Sequence, residues 1–299
     1  MKKNRIFALL MTAVLAVACS GCNKIYSDPG PAESLDLISD AGDADNSQLE
    51  NVETEDTPAD EFLKENFPSN GAAELLNFRT PEAGEEIAVI HTSMGDIKVM
   101  LFPDVAPKAV ENFKELVEKG YYNSTDAAKM LFHRVKKDFV IQTGDPTGTG
   151  AGGESASGEP FEDEFSEQAL HFRGALSMAN SGADTNESQF FIVQAPASTI
   201  TSESWNLFRL NAGVQKAFPQ SVMDKYEEVG GTPWLDFSHT VFGQVFEGMD
   251  VVDAIASVPV SDDKFNKPLE DVWIQSITLE SYVPSAESSQ PESASESNS

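Results

Sequence analysis

Leu131 to Asp145 reads LFHRVKKDFVIQTGD and sets His133, Arg134 and Gln142 into an otherwise apolar stretch. An arginine keeps its charge at any working pH and presents several N–H donors in a fixed fork. A glutamine can donate and accept at once. Beside Phe139 and Val140, such a set fits two arrangements. One is a strand with a solvated edge, the arginine stem lying along apolar surface. The other is a notch that takes an apolar ring next to a polar group. Pattern alone favours the first, and it makes Phe139, Val140, Phe191 and Leu235 ordinary core residues.

Other chemistries find less support. GDPTGTGAGG contains a literal G-x-G-x-x-G at Gly148, Gly150 and Gly153. A dinucleotide fingerprint must open a helix, and the following ESASGEPFEDEF has no apolar helix face. The Lys and Ser or Thr of a phosphate-binding loop are missing too. The run reads as a flexible loop near a site. His91, His133, His171 and His239 show no H-E-x-x-H spacing and have no cysteine near them, which argues against a metal site. No G-x-S-x-G elbow is present, and ESQFF around Ser188 is a poor substitute. Composition alone leaves a Ser–His–acid set open.

The chain has 299 residues, 40% of them hydrophobic, enough for one or two domains with a core. Its formal charge of -29 argues against a nucleic-acid surface, which needs a basic patch. The only cysteines, Cys19 and Cys22, follow a basic start, MKKNR, and the apolar run IFALLMTAVLAVA. That run is too short for a comfortable membrane span and reads as a signal peptide, residues 1–21. Its end, ACSGC, resembles the lipobox of bacterial lipoproteins, in which small residues precede a cysteine that becomes lipidated. Cys22, after Ser20 and Gly21, fits best, and Cys19, after Val17 and Ala18, also fits. The expectation is an extracytoplasmic protein held to the lipid bilayer of the cell membrane by its acylated N-terminal cysteine.

Residues 22–83 are expected to form an acidic, largely disordered linker, because they offer little apolar surface to offset the entropy of ordering. ADEFLKENF could make a short helical turn without visible packing. Residues 284–299, dominated by Ser and Glu, read as a disordered tail. Between them, EIAVIHTS and GDIKVMLFP form a hairpin turning at Gly95. APKAVENFKELVEKG is a helix entered at Pro107 and stopped at Gly120, with Val110, Phe113, Leu116 and Val117 on one face. MLFHRV, FVIQ, GALSMA, QFFIVQ, TVFGQV and WIQSITLE read as strands, and EGMDVVDAIAS as a second helix. The absence of regular βα alternation favours a mostly β, antiparallel barrel or sandwich capped by helices. Residues 196–233 interrupt it with an elaborated loop whose PQSVMDKYEEVGG reads as a helix bounded by Pro219 and Gly230, with Val222, Tyr226 and Val229 on one face.

FHRVKKDFVIQTGD, FEDEF, GALSMANSGADTNESQFFI and WLDFSHTVFGQVFEGMDVVDAI resemble, in order, successive blocks of the cyclophilin family of peptidyl-prolyl cis-trans isomerases. The resemblance implies an eight-stranded antiparallel β-barrel closed by two α-helices, here residues 84–283 with the insertion 196–233. It implies rotation about X–Pro peptide bonds in flexible or unfolded polypeptides, assisting protein folding, with no cofactor and no metal. It assigns the catalytic role to Arg134 and the proline pocket to Phe139, Val140, Phe191, Trp234, Leu235 and His239. Gln142, Ala179, Asn180 and Gln189 would hold the peptide backbone. Cyclosporin binding is implied as well, subject to obstruction by the insertion. Two positions depart from the family pattern: Val140 stands for a usual methionine and Glu187 for a common glycine. The first predicts a wider or stiffer pocket with altered peptide preference. The second places an acid near the groove, with backbone strain if the position requires positive φ.

Overall fold

A computed structural model describes residues 58–201, Trp205 and residues 217–284. The expected leader, both cysteines, the linker up to residue 57 and the tail from residue 285 lie outside the described residues. In chain order the elements are α1 (Pro58–Asn66), β1 (Glu86–Thr92), β2 (Gly95–Leu101), α2 (Pro107–Glu118), β3 (Met130–Leu131), β4 (Arg134–Lys136), β5 (Val140–Thr143), β6 (Ala175–Met178) and β7 (Phe190–Val193). There follow α3 (Gln220–Val229), β8 (Val241–Glu247), α4 (Met249–Ala256) and β9 (Trp273–Ser281). Among the described residues no helix is long and apolar enough to cross a membrane.

Local chemistry explains the first elements. β1 and β2 pair across a turn of Ser93 and Met94, with Thr92 opposite Gly95. Gly95 takes φ +134°, where a side chain would be strained. The Thr92 hydroxyl donates to the Gly95 carbonyl at 2.7 Å and accepts the Met94 N–H at 3.0 Å. α2 carries Pro107 in its first turn, where no N–H is needed. It ends at Gly120, φ +68°, with the Gly120 N–H on the Val117 carbonyl and the Tyr121 N–H on the Leu116 carbonyl, both at 2.9 Å. That pair of bonds satisfies carbonyls which the helix end would otherwise leave open.

The strands form one antiparallel sheet in the order β3-β9-β1-β2-β8-β6-β7-β5-β4. Its two outer members, β3 and β4, are separated in sequence only by Phe132 and His133. The chain itself therefore joins the ends, and the ring is an eight-stranded barrel with one strand broken. The expected single strand MLFHRV is two pieces because Met130–Leu131 pair with β9 while Arg134–Lys136 pair with β5. The Phe132 N–H on Val272 and the Thr143 hydroxyl on Leu131, each at 2.9 Å, hold the break.

One cross-strand row, Val135, Ile141, Ile192 and Leu176, points inward, and each residue is fully buried. It joins the inner faces of β1, β2 and β9 and the apolar faces of α2 and α4 in a single cluster. Phe113 of α2 sits 5.5–5.6 Å, centre to centre, from the rings of Tyr122, Phe190 and Phe242. Each such large side chain removed from water stabilises the fold by about 1.5–3 kcal/mol.

A second lobe is built from two places in the chain. α3 has Pro219 at its N-cap and Gly230, φ +88°, at its stop, and it buries Val222, Met223 and Tyr226. Phe62, Leu63 and Phe67 pack with Phe218, Val222, Tyr226, Leu170 and Phe172 in one cluster. The Asn77 amide donates to the Leu170 carbonyl at 3.0 Å and to Gln244 Oε1 at 2.8 Å, while its Oδ1 accepts the Leu170 N–H at 3.1 Å. Among the described residues, packing therefore reaches back to Phe62, ahead of the expected boundary of 84. ADEFLKENF carries too few apolar residues to signal burial by itself; its partners lie far along the chain.

Asn77 is 5% exposed, so removing its amide strands buried backbone groups of Leu170. Asn77→Ala is expected to lower the unfolding free energy by about 2–4 kcal/mol, measured by urea titration. A change under about 0.5 kcal/mol, the scale of an ordinary surface substitution, would mean that residues 58–83 add nothing to the fold.

Candidate active site

Directly opposed residues of antiparallel strands share a face. Arg134 opposes Gln142, Gln142 opposes Phe191, and Phe191 opposes Ser177. These four make one transverse row, interleaved with the inward row and hence on the outer surface of the barrel. The guanidinium carbon of Arg134 lies 5.4 Å from the centre of the Phe139 ring. Its Nη1 reaches Gln142 Oε1 at 3.4 Å. Gln142 Nε2 donates to Gln189 Oε1 at 3.0 Å, and Gln189 Nε2 donates to the carbonyls of Gly152 at 2.7 Å and Gly150 at 3.2 Å. A half-buried cation is thus fixed at the rim of a relay of amides.

Phe139, Val140, Phe191 and Leu235 pack in one outer-face cluster, with Ala179 and Trp234 against it. Trp234 and Leu235 sit on a single 3₁₀ turn, Pro233–Leu235. The Trp234 indole stacks on Phe139, centres 6.1 Å apart and planes at 18°. His239 meets Phe191 edge-on at 5.5 Å and places Nδ1 3.1 Å from the Met178 carbonyl. Asn180 Nδ2 donates to the Ser238 carbonyl at 3.0 Å, and the Ala179 N–H donates to the Gln189 carbonyl at 2.9 Å. Every groove residue expected from sequence is in this one neighbourhood, while the lipidation candidates Cys19 and Cys22 lie outside the described residues. Val140 lies one row along, opposite Lys136 and Val193, with only 2% of its surface exposed.

Comparison with known proteins agrees with this geometry. Residues 87–279 match the profile of the family described as Cyclophilin type peptidyl-prolyl cis-trans isomerase/CLD. The chain belongs to that family. It is 50% identical over 200 residues to a Staphylococcus saprophyticus protein to which peptidyl-prolyl cis-trans isomerase activity is ascribed, covering 66% of this chain and 93% of the relative. A Staphylococcus aureus (strain COL) relative of the same description is 48% identical over 205 residues, covering 67% and 94%. A crystal structure of a Cryptosporidium parvum cyclophilin type peptidyl-prolyl cis-trans isomerase aligns with 66% of this chain and 99% of its own, at TM-score 0.50 and 32% identity. The molecule is accordingly a peptidyl-prolyl isomerase with the cyclophilin fold.

The isomerase groove rests on residues that the sequence did not single out. His171 stacks beneath Phe191, centres 5.9 Å apart and planes at 17°. Its Nδ1 is 2.8 Å from Asp236 Oδ1 and its Nε2 2.9 Å from Ser177 Oγ. These are the distances of a hydrolytic Ser–His–Asp set, yet Ser177, His171 and Asp236 are at most 1% exposed. Their place is under the groove, where no scissile bond can reach. Residues that assemble across such sequence distances leave no local signal.

The glycine run also has a different purpose from the one its pattern suggests. The Asp145 carboxylate accepts backbone N–H groups from Thr147, Thr149, Gly150 and Gly152 at 2.7–3.2 Å, and the Thr147 hydroxyl at 2.7 Å. The donors that would hold a phosphate are aimed at an internal acid, and the expected flexible loop is tied down. Burial alone would raise the Asp145 pKa; these bonds outweigh it and hold the group at about 2. Glu187 is not among the non-glycine residues of positive φ, so the strain considered for that position does not arise. Partial burial, with Glu154 nearby, raises its pKa.

His133 lies under Gly150, and neither ring nitrogen makes a hydrogen bond. Burial, aided by the Arg134 charge, lowers its pKa to about 4, against weaker opposition from Asp145 and the nearby Gln189 amide. Burial also lowers the Arg134 pKa, but a guanidinium starts high enough to stay charged at neutral pH. For His133 the unfolded chain takes up a proton near pH 6.5 and the folded chain only near 4. Its contribution to stability is complete above pH 6.5 and declines as pH falls toward 4, by about 3 kcal/mol in all. Urea unfolding of the wild type and His133→Gln from pH 7 to 4.5 is expected to show this slope in their difference. A pH-independent difference would place a protonated His133 in the folded state.

Proposed function

We propose that the outer groove catalyses rotation about X–Pro bonds of exported or surface proteins, with Arg134 as its catalytic residue. The observation that carries this reading is the Arg134 guanidinium 5.4 Å from the Phe139 ring centre, beside the outer apolar cluster of Phe139, Phe191 and Leu235. Peptide-bond resonance sets a barrier of roughly 18–20 kcal/mol, and uncatalysed prolyl isomerisation takes about 10–100 s. As the amide twists, its nitrogen loses conjugation and gains a basic lone pair. A donor aimed there stabilises the twisted form more than the planar one, which is what acceleration requires.

Phe139, Phe191 and Leu235 hold the proline ring by apolar contact, with Trp234 and His239 forming the wall. Gln142, Ala179, Asn180 and Gln189 hold the backbone on one side of the rotating bond, so that the other side turns against a fixed partner. Val140, buried among the same rings, gives a stiffer pocket floor than a flexible side chain would. No covalent bond forms or breaks, and the cycle needs no proton transfer, metal or organic cofactor. Cyclosporin binding at the same residues is part of this proposal, subject to obstruction by the insertion.

The leader and ACSGC support an extracytoplasmic location, with lipid attached to Cys22 or, less favourably, Cys19 and the groove presented to newly exported chains. Mass spectrometry of the mature N-terminus is expected to find an acylated Cys22; an unmodified first residue would remove the anchor from this reading. For the chemistry, Arg134→Ala is expected to lower kcat/KM on a proline peptide about 100-fold, as losing one transition-state donor does, with an unchanged circular dichroism spectrum. Exchange NMR separates binding from turnover in one sample. Saturable peptide binding without accelerated exchange in the wild type would make the groove a binding module instead.

A further inference from the structure

The wall of the notch, Trp234 to His239, is held from behind by parts of the chain outside the barrel. Tyr226 of α3, fully buried, donates its hydroxyl to Asp236 Oδ2 at 2.6 Å. Asp236 Oδ1 accepts the backbone N–H of His171 at 2.7 Å and lies 2.8 Å from its Nδ1. The His171 ring is the one stacked under Phe191, and it meets His239 edge-on at 6.3 Å. A continuous line of contacts thus leads from the insertion to the floor and edge of the notch.

The next residue carries an independent sign of the same thing. Phe237 adopts φ +56°, a conformation that costs a bulky side chain on the order of 1–3 kcal/mol and persists only where its surroundings impose it. Three rings pack against it, beyond the turn that the Ser238 and His239 N–H groups close on the Leu235 carbonyl. Phe67 and Phe62 meet Phe237 edge-on at 5.1 and 5.5 Å, and Phe165 does so at 6.4 Å. Two of the three come from α1 and the residue that follows it, before the region that matches the family profile, which starts at residue 87. On the other side of Phe237, the Ser238 carbonyl holds Asn180 of the groove rim.

We propose that α1 and the insertion helix α3 form one brace, acting through Phe237 and Asp236, that sets the groove wall, with Tyr226 and Phe237 as positioning residues for isomerisation. The inference rests on the isomerase reading above. It makes α3 of the insertion a support for the groove wall, and it extends the working enzyme to α1. Tyr226 touches no substrate; its hydroxyl fixes Asp236, which orients the histidine beneath the notch.

The test uses the full chain with a proline peptide and exchange NMR, which reports on-enzyme exchange, affinity and folded fraction together. Tyr226→Phe keeps the ring and deletes only the hydroxyl. Phe237→Gly permits the same backbone conformation and deletes the three ring contacts. Each is expected to slow on-enzyme exchange about three- to tenfold, the range of couplings carried through such networks, with peptide Kd within about twofold of wild type. The ring-proton resonances of His239 and Phe191 are expected to shift in both. Phe62→Leu, on the half-buried side of α1, serves if either change lowers the folded fraction. Fully folded variants with wild-type exchange and unmoved ring resonances would overturn the brace. A wild type that binds without accelerating exchange would overturn the isomerase reading instead, and the ring resonances would still decide the brace.

Discussion

Antiparallel pairing puts opposed residues on the same face, and the site depends on that constraint. Arg134, Gln142, Phe191 and Ser177 stand outside because Val135, Ile141, Ile192 and Leu176 stand inside. A slip of one residue between β4 and β5 would bury the guanidinium and expose Val135. The inward row is fully buried, so such a slip is opposed by the whole core. The break at Phe132 and His133 adds a second restraint, because β3 is committed to β9 while β4 is committed to β5. Gly144 supplies a third: with φ +89° it lets β5 end against the Ser188 carbonyl, where any side chain would collide. The precision of the groove is thus inherited from barrel closure.

Charge is arranged in the same spirit. The chain has 49 acidic residues against 20 Lys and Arg. Lys98, Lys108, Lys114, Lys119, Lys129, Arg79, Arg173 and Lys225 all lie in ion pairs. Arg134 has no carboxylate partner among the described residues; its neighbours are a neutral amide and an aromatic face. In so acidic a chain that isolation keeps the cation available to a ligand. Partial burial protects it from the screening that would weaken a surface charge.

What was legible in the sequence was local. The α2 stripe with Pro107 and Gly120 at its ends, the Gly95 hairpin and α3 between Pro219 and Gly230 all follow from spacing and punctuation within a dozen residues or so. The site residues were legible only through resemblance, since pattern alone reads Arg134 and Phe139 as edge and core. What stayed hidden depends on partners far away. The strand break reflects two different neighbours. The packing of α1 needs Phe218 and Phe237. The purpose of the glycine run is set by the Asp145 carboxylate, and a left-handed backbone at Phe237 contradicts every local preference of phenylalanine.

Twisting an amide moves no proton, and three titrating groups near the outer row, His133, Asp145 and Tyr226, fit a mechanism that needs none. His133 is held neutral down to about pH 4 and Asp145 is held ionised down to about pH 2. Burial and the neighbouring Asp236 raise the Tyr226 pKa well above its ordinary value, keeping the phenol protonated. A general acid or base works best with its pKa near the operating pH, and these three are displaced from it in the directions that freeze their charge. Around the proposed Arg134 donor, these three groups therefore contribute a charge that does not change near neutral pH. Electrostatic preorganisation favours such constancy, since a group that changed charge beside the proposed site would alter the field there from one turnover to the next.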